Sequence, residues 1–340
     1  MGDPFTTTRR GGFTAEQSAA LELLRRSSRF LLVGHVRPDG DCLGSQGALA
    51  RGLRQLGKDV AIVNPDPPAA VFEHLGRGLA YGAFDGRLPE HDVAVLLDFN
   101  ELSRTGAMAP LLERAPSKKL VIDHHPYHGR PWWDAAFVDV SASATGVLAW
   151  RILGALGAPV DAAIASAVFT SLVTDTGWFR YSNTDAETLR LAGELVAHGV
   201  EPAALYGGLF QRRPADEPMA LAAVLGRLEY FADKRLAVTD QPLGNGGAPE
   251  LEDGDPLLDL LRAVESVEVV LYLRELEPGQ CKLSARSKGA YDVNALARRF
   301  GGGGHVKAAG ATIAGPLAEV RRRVVAAALE SLPANGGGAR

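Results

Sequence analysis

Residues 30–46 read FLLVGHVRPDGDCLGSQ, and this stretch decides the fold. Four consecutive apolar residues, Phe30–Val33, are typical of a strand that is buried on both faces, as in a parallel sheet. The polar segment His35–Asp41 follows at once, and leucines then recur at helical spacing over Gly44–Leu56. The stretch therefore predicts a strand, a loop and a helix in succession, which is the unit from which parallel sheets are built.

The same signal recurs along the first half of the chain. Further apolar runs occupy Val60–Val63, Val93–Leu97 and Leu120–Ile122. Helical patterns cover Thr145–Leu156, Asp161–Val173 and Thr184–His198. Continuous apolar strands that alternate with helices predict an α/β domain, with a mainly parallel sheet and helices on both faces.

A change of composition separates this half from the rest. Prolines and charged residues concentrate over Glu201–Met219, which predicts a linker with a helix around Leu205–Phe210. The predicted elements beyond it are strands Leu236–Thr239, Val267–Leu273 and Cys281–Ser287, and helices Pro256–Val264, Val293–Phe300 and Leu317–Leu332. We therefore expect an N-terminal α/β domain over 20–190, a linker over 191–222, and a smaller C-terminal α/β domain over 223–332 that faces the first across a cleft.

Composition narrows the class of protein. No run of about 18 apolar residues is present, so no membrane partner is expected. The first residues match a loose myristoylation pattern at Gly2 and Thr6, but their composition favours a flexible tail. With only Cys42 and Cys281, a disulfide framework is excluded and a cytoplasmic location is expected. The net charge of −4 argues against binding of long duplex nucleic acid, unless metal ions supply the missing positive charge.

Potential metal ligands follow the predicted strands. They are His35, Asp39 and Asp41 after the first strand, Asp98 after the third, Asp123, His124 and His125 after the fourth, and Asp175 at the end of a helix. Taken alone, Asp98 or Asp175 is more typical of a turn or a helix cap. Ligands bind beyond the carboxyl ends of parallel strands, so we expect these side chains to converge at one edge of the sheet.

The charge of this cluster predicts how many ions it binds, and its types of side chain predict which ions. Asp39, Asp41, Asp98 and Asp175 carry four negative charges, which repel one another unless cations are present. Two divalent ions would balance them. Mixed carboxylate and imidazole ligands favour Mn²⁺, with Co²⁺, Fe²⁺ or Mg²⁺ as alternatives, over Ca²⁺. Two such ions form a clamp suited to phosphoryl chemistry.

Five segments resemble those of a known family. GHVRPDGDCLGSQ (34–46), LLDFNELSRTG (96–106), VIDHHP (121–126) and TDTGWFRYSNT (174–184) resemble the four motifs of the DHH phosphoesterases. SARSKGAYDVNALARRFGGGGHVKAAGA (284–311) resembles the substrate-binding motif of the DHH-associated C-terminal domain. The resemblance covers about residues 20–330. The compact length and the GGGGH segment resemble the group of bifunctional oligoribonucleases and pAp (3′,5′-bisphosphate nucleotide) phosphatases.

The resemblance implies a role for each residue of the first domain. His35 and Asp39 would bind one metal ion, Asp41, His124 and Asp175 the second, and Asp98 both. His125 would contact the reacting phosphate and help protonate the leaving oxygen, while Asp123 would orient a metal-binding histidine. Arg104 is either a contact to the substrate phosphate or a surface arginine.

In the second domain the resemblance implies that Arg286, His305 and the loop glycines Gly302, Gly303 and Gly304 bind a terminal phosphate or nucleotide. For Arg298 and Arg299 we favour a role at a solvated helix end, and for Trp132 and Trp133 partial burial in the core.

The expected substrates are short oligoribonucleotides, cut to mononucleotides, and pAp, converted to AMP. A phosphodiesterase acting on pApA or cyclic di-AMP is the alternative with the same chemistry, and homodimer formation is an open possibility. A metal-free nucleotide sensor of this fold would be expected to have lost ligands, and none is missing here.

Overall fold

The computed structural model describes residues 12–127, 129–252 and 254–333. The predicted tail at Gly2 and Thr6 lies outside these residues. The chain divides into two compact units between Arg212 and Arg213. This division falls inside the stretch 191–222, for which the sequence predicts a linker.

The first unit is built on one sheet. Its strands are β1 (Arg29–Val33), β2 (Asp59–Asn64), β3 (Gly82–Ala83), β4 (Val93–Leu97), β5 (Lys118–Asp123) and β6 (Ala135–Val138). They lie in the order β3-β2-β1-β4-β5-β6, and all five pairings are parallel. The predicted parallel sheet is confirmed. Because the order reverses between β1 and β4, their carboxyl ends flank the crevice where doubly wound sheets bind ligands.

Helices cover the two faces of this sheet unequally. The α-helices are α1 (Ala15–Arg26), α2 (Gly40–Gln55), α3 (Ala109–Arg114), α4 (Thr145–Leu156), α5 (Ala162–Asp175), α6 (Ala186–Ala197) and α7 (Pro202–Phe210), with 3₁₀ helices at Ala70–Gly76 and Leu102–Met108. The larger core packs α1, α2, α4, α5 and α6 against one face. The other face is covered by α3 and the second 3₁₀ helix, through Leu102, Met108 and Leu112.

Helices α2 and α5 pack closely, and this contact positions the site. A Cβ on Gly44 would lie 2.5 Å from the carbonyl oxygen of Ala167 and 2.7 Å from the backbone nitrogen of Ser171. Only glycine therefore permits this approach of the two backbones. The approach brings the first turn of α2 beside the last turns of α5.

The second unit is a smaller α/β domain, as predicted. Its strands are β7 (Glu229–Phe231), β8 (Leu236–Gln241), β9 (Val269–Glu277), β10 (Gln280–Ser287), β11 (Gly303–His305) and β12 (Ala308–Ala314). Its helices are α8 (Glu217–Leu225), α9 (Asp255–Arg262), α10 (Val293–Arg298) and α11 (Leu317–Ser331), with a 3₁₀ helix at Leu243–Gly247. The strand order is β11-β12-β10-β9-β8-β7, in which β8 and β9 pair in parallel and the other neighbours are antiparallel.

Three observed features differ from the expectation. Helix α2 begins at Gly40 rather than at Gly44, because the Asp39 side chain accepts hydrogen bonds from the N–H groups of Asp41 and Cys42 and so caps the helix earlier. Strands β3, β6, β7, β11 and β12 were not predicted. The stretch 191–222 is largely helical, since it contains the end of α6, all of α7 and the first turns of α8. No helix in the described ranges is long and apolar enough to span a membrane.

Candidate metal centre

The carboxyl ends of β1, β4 and β5 meet the C-terminal end of α5 at one place. Three groups of potential ligand atoms lie there, each group with its atoms within 4.8 Å of one another. They are His35, Asp39 and Asp98; Asp98, His124 and His125; and Asp41, His124 and Asp175. The structure thus brings together all the residues to which the sequence assigns a metal, and His125 beside them.

Asp98 occupies the centre of the cluster. Its side chain is 5% exposed, its Oδ2 lies 3.5 Å from Nε2 of His35, and its Oδ1 lies 3.6 Å from Nε2 of His124. The two oxygens therefore face two different histidines, as a carboxylate shared by two ions requires. The backbone of Asp98 has a φ of +70°, which is uncommon for a residue other than glycine. Backbone strain of this kind is found where the surrounding structure fixes a functional side chain.

Backbone carbonyls orient both histidines. Nδ1 of His35 lies 2.9 Å from the carbonyl oxygen of Val36, and Nδ1 of His124 lies 3.1 Å from that of Ala142. A ring nitrogen in such a contact donates its proton, which leaves a lone pair on Nε2 in the neutral imidazole. Nε2 of His124 is buried without a hydrogen-bond partner among the described residues. It lies 3.6 Å from Oδ2 of Asp41, so a cation between the two atoms would satisfy both.

The electrostatics of the cluster also require positive charge. Burial raises the pKa of Asp98 well above its usual range, and the neighbouring carboxylates of Asp41, Asp39 and Asp123 raise it further. Burial likewise raises the pKa of Asp41, and burial together with the charge of Asp41 raises the pKa of Asp175 to about 6. Without a cation, these carboxylates would not all be ionised at neutral pH. The donor set of carboxylates and imidazoles fits two divalent ions.

Residues that the sequence interpretation missed hold Asp41 in place. Its Oδ2 accepts a hydrogen bond of 2.8 Å from the backbone N–H of Thr145, and its Oδ1 accepts one of 3.2 Å from that of Gly146. The hydroxyl of Ser171 also donates to Oδ1. Thr145 begins α4, which has no side-chain cap, so its free N–H groups need another acceptor. The uncapped start of this predicted helix was the available signal.

Asp123 contacts His125, whereas His124 contacts a backbone carbonyl oxygen. Oδ1 of Asp123 lies 2.8 Å from Nδ1 of His125 and accepts from its backbone N–H at 3.1 Å. Asn100, also missed, donates to the other oxygen at 2.7 Å. Asp123 is the last residue of β5, and the side chain and backbone N–H of His125, two residues later, both contact its carboxylate. The side chain of His124 instead contacts the carbonyl oxygen of Ala142. The hydrogen bond that His125 donates to the carboxylate of Asp123 raises the pKa of His125.

Three other positions that the sequence singled out lie near this cluster. The carbonyl oxygen of Arg104 accepts a hydrogen bond of 2.8 Å from the backbone N–H of Val36, and its side chain is exposed. Arg104 is therefore adjacent to the loop that carries the candidate ligands His35 and Asp39, which we call the first ligand loop, and its contact with substrate stays a prediction. Trp132 and Trp133 are half-buried against the sheet, and Nε1 of Trp132 donates to the carbonyl of Asn100. This agrees with the core role that the sequence favoured.

The predicted substrate residues of the second unit share one region of its sheet. Arg286 on β10 and His305 on β11 both lie opposite Ala308 of β12. Directly opposed residues in antiparallel strands point to the same face, so Arg286 and His305 form one row, two strands or about 10 Å apart. In this structure, Nη2 of Arg286 contacts Oδ1 of Asp255 at 2.6 Å.

The glycines of the loop have separable roles. A Cβ on Gly302 would collide with the carbonyl oxygen of Gly310, and one on Gly304 would lie 2.5 Å from that of Ala308. Both glycines are therefore needed for the pairing of β11 with β12. A Cβ on Gly303 would meet nothing closer than 3.9 Å. Arg299 pairs with Glu330, as expected for a structural residue at a helix end.

Comparisons with known proteins agree with these observations. The N-terminal domain of the DHH family matches residues 29–172, and the DHHA1 domain matches residues 254–333. The bifunctional oligoribonuclease and PAP phosphatase NrnA of Thermus thermophilus is 36% identical over 305 residues, which cover 89% of this chain and 90% of that protein. The protein of the same name from Bacillus subtilis is 27% identical over 316 residues, covering 86% and 92%.

Solved structures show the same architecture. A crystal structure of an exopolyphosphatase-related protein from Bacteroides fragilis has a TM-score of 0.85 and 25% identity, and covers 95% of this chain and 98% of that chain. The exonuclease RecJ bound to manganese has a TM-score of 0.52 and 18% identity, covers 95% and 96%, and shares the fold. The chain therefore belongs to the DHH family of phosphoesterases and is an enzyme that combines the DHH and DHHA1 domains.

Proposed function

We propose that this enzyme is a two-metal phosphoesterase that hydrolyses short oligoribonucleotides to mononucleotides and pAp to AMP. The observation that carries the proposal is Asp98, whose two oxygens face His35 and His124 at 3.5 and 3.6 Å. The names of the relatives from Thermus and Bacillus, bifunctional oligoribonuclease and PAP phosphatase, supply the substrate class.

The proposed ligands divide between two ions, with Mn²⁺ as the favoured metal. His35 and Asp39 would hold the first, Asp41, His124 and Asp175 would hold the second, and Asp98 would be shared. When bound, two such ions polarise phosphoryl oxygens and acidify a water molecule. The backbone N–H groups at the start of α4 and the hydroxyl of Ser171 fix the carboxylate of Asp41 for this role.

His125 is the proposed proton donor to the leaving oxygen. Its Nδ1 contacts Asp123, which leaves its Nε2 for a contact with the substrate. Its raised pKa favours the protonated form that a proton donor needs. Arg104 is proposed to contact the substrate phosphate from the edge of the first ligand loop. His125 and Arg104 are thus both proposed to contact the substrate, and neither is proposed to bind a metal ion.

The second unit is proposed to bind the part of the substrate that does not react. Arg286 and His305 lie in one row on one face of the sheet, and Gly303 leaves open backbone beside them. A terminal phosphate would compete with Asp255 for the guanidinium of Arg286. The negative net charge fits small nucleotides and short RNA better than long duplexes. The two buried free cysteines fit the proposed cytoplasmic location.

A substrate panel tests the proposal. Purified enzyme with Mn²⁺ is assayed on pAp, on RNAs of increasing length, on pApA and on cyclic di-AMP, with Asp98→Asn as the control for contaminating nucleases. We expect hydrolysis of pAp and of the shortest RNAs, with AMP and mononucleotides as products. Rapid turnover of cyclic di-AMP or pApA with no activity on pAp would instead favour the dinucleotide phosphodiesterase alternative.

A further inference from the structure

A cavity of about 990 Å³ lies within the first unit, and none of its lining residues belongs to the metal centre. Its walls are the 3₁₀ helix Ala70–Gly76, the first turns of α5, and α7. Ser166 on the α5 wall precedes Asp175 by nine residues (175 − 166), which is about 13 Å along a helix. A volume of this size suits a small molecule.

Three arginines line this cavity, which we call the α5–α7 cavity. Nη2 of Arg51 donates to the carbonyl oxygens of Leu75 and Arg77, each at 2.8 Å, and this fixes its guanidinium. Nε of Arg51 is buried and has no hydrogen-bond partner among the described residues. The two Nη2 contacts therefore hold a positive charge in a fixed position at the wall of the cavity.

The other two arginines are available to a ligand. In the described part of the chain, neither Arg77 nor Arg212 has a carboxylate partner, and Nη1 of Arg212 makes only a long contact of 3.4 Å with the carbonyl oxygen of Ala70. Ala162 and Ala163 at the start of α5 line the same space. Guanidinium groups are suited to a phosphate, which they bind through paired N–H donors.

The remaining lining residues define the rest of the ligand. Glu73 and Glu201 can accept hydrogen bonds from hydroxyl or amino groups, while Val71 and Leu205 offer apolar surface. A simple phosphate ion would use neither feature. We propose that the α5–α7 cavity is a second nucleotide-binding site, separate from the metal centre, that binds a nucleoside monophosphate.

Binding of labelled AMP by equilibrium dialysis tests this site without turnover. The full-length protein is dialysed with excess EDTA, so that the metal centre does not retain the nucleotide. Every protein in the comparison also carries Arg286→Ala, so that the proposed substrate residues of the second unit contribute little to binding. The cavity variant adds Arg77→Ala and Arg212→Ala together, and the matched control adds Arg114→Ala, an exposed arginine on α3. We expect the Arg286→Ala protein and the matched control to bind AMP equally, and the cavity variant to bind at least about tenfold more weakly.

Two further measurements keep the test decisive. Ala204→Glu places a carboxylate on the α7 wall and is expected to weaken AMP binding by repulsion even though all three arginines remain. Inorganic phosphate and adenosine should each compete less well than AMP. The proposal is overturned if the cavity variants bind AMP like the Arg286→Ala protein, if Arg286→Ala alone abolishes binding, or if phosphate competes as well as AMP. None of these outcomes depends on which substrate the metal centre hydrolyses.

Discussion

At the scale of single residues, the contacts around Asp123 separate two neighbouring histidines. Asp123 holds His125, whereas His124 is held by the carbonyl of Ala142. The change Asp123→Asn should therefore lower kcat by about 10–100-fold, the usual cost of losing a group that orients a functional side chain. Metal content should stay at the wild-type level. Steady-state kinetics checks the fall in kcat, and elemental analysis of the same preparation checks the metal content. A loss of bound metal would indicate that Asp123 orients His124 instead.

The convergence of the candidate ligands was readable from the sequence, because each follows an apolar run and the ends of parallel strands converge. The residues that hold them were not. Ser171 lies in the middle of an apolar helix and Asn100 resembles an ordinary turn residue, so neither shows its partner in the sequence. Asp123 was predicted as an orienting group, but adjacent histidines cannot be told apart before the path of the chain after β5 is known.

At the scale of elements, the crossing of α2 and α5 is the contact that brings Asp41 and Asp175 together. Gly44→Ala should destabilise the first unit by about 1–3 kcal/mol, because its Cβ would meet backbone atoms of α5 that cannot move aside. It should also weaken Mn²⁺ binding, since Asp41 and Asp175 lie on these helices. The matched control is Gly193→Ala on α6, whose Cβ would meet nothing within 4 Å and which should stabilise by about 0.5–1 kcal/mol.

Thermal unfolding and Mn²⁺ titration of the two glycine variants measure these effects. If Gly44→Ala were as stable as Gly193→Ala and bound Mn²⁺ as tightly as the wild type, the close packing of α2 against α5 would not be what positions the ligands.

A buried ion-pair network connects β6, α4 and α6. Arg151 is 8% exposed and donates to Asp139 at 2.8 Å and to Glu187. Burial opposes ionisation of Asp139, but hydrogen bonds from Ser141 and Arg151 outweigh it and lower its pKa. A carboxyl group with a lowered folded pKa stabilises the fold above its unfolded pKa of about 3.9, and this contribution is lost as the pH falls through the folded value.

Asp139→Asn should therefore destabilise the first unit by about 3 kcal/mol at pH 7, because Arg151 loses one of its buried partners. The difference from the wild type should shrink as the pH falls below the unfolded pKa of about 3.9 and through the lowered folded value, because Asp139 then loses its charge. Urea unfolding at pH 7 and at a series of acidic pH values measures it. A difference that did not depend on pH would mean that Asp139 acts through packing alone.

The elements were predicted as far as their apolar patterns extended. Helix α4 has its predicted bounds because its apolar face is continuous, and β1, β4 and β5 are fully buried runs. Strand β6 was missed because its four residues, AAFV, follow a Pro-Trp-Trp segment typical of a loop. Helices α7 and α8 were read largely as linker because each has proline in its first turn, which is compatible with a helix start as well as with a turn.

At the scale of the whole molecule, the two units are expected to contribute separately to binding and to chemistry. Arg286→Ala should raise KM for pAp and dinucleotides by roughly ten- to a hundredfold, the effect of one charge-assisted hydrogen bond. A small activated phosphodiester that contacts only the metal centre should be hydrolysed almost as before. Steady-state kinetics on both substrates check this, with Arg298→Ala as the control on a solvated helix end. Equal losses on the two substrates would place Arg286 in the catalytic centre.

The same division of roles implies a limit on substrate length. A chain with a net charge of −4 has little positive charge to neutralise the phosphates of a long RNA. RNAs of two to a few residues should therefore be cut much faster than long RNA, as a time course on an RNA ladder can measure. Undiminished rates on long RNA would indicate a processive exonuclease.

Turnover by Asp98→Asn is the most direct test of the two-metal assignment. The variant is assayed on a dinucleotide with saturating Mn²⁺, beside the wild type, after circular dichroism has established that it is folded. Because the proposed ions share this carboxylate, and because loss of a mere orienting group already costs up to about 100-fold, the account predicts that activity falls by more than about 100-fold. Activity within about tenfold of the wild type would contradict it.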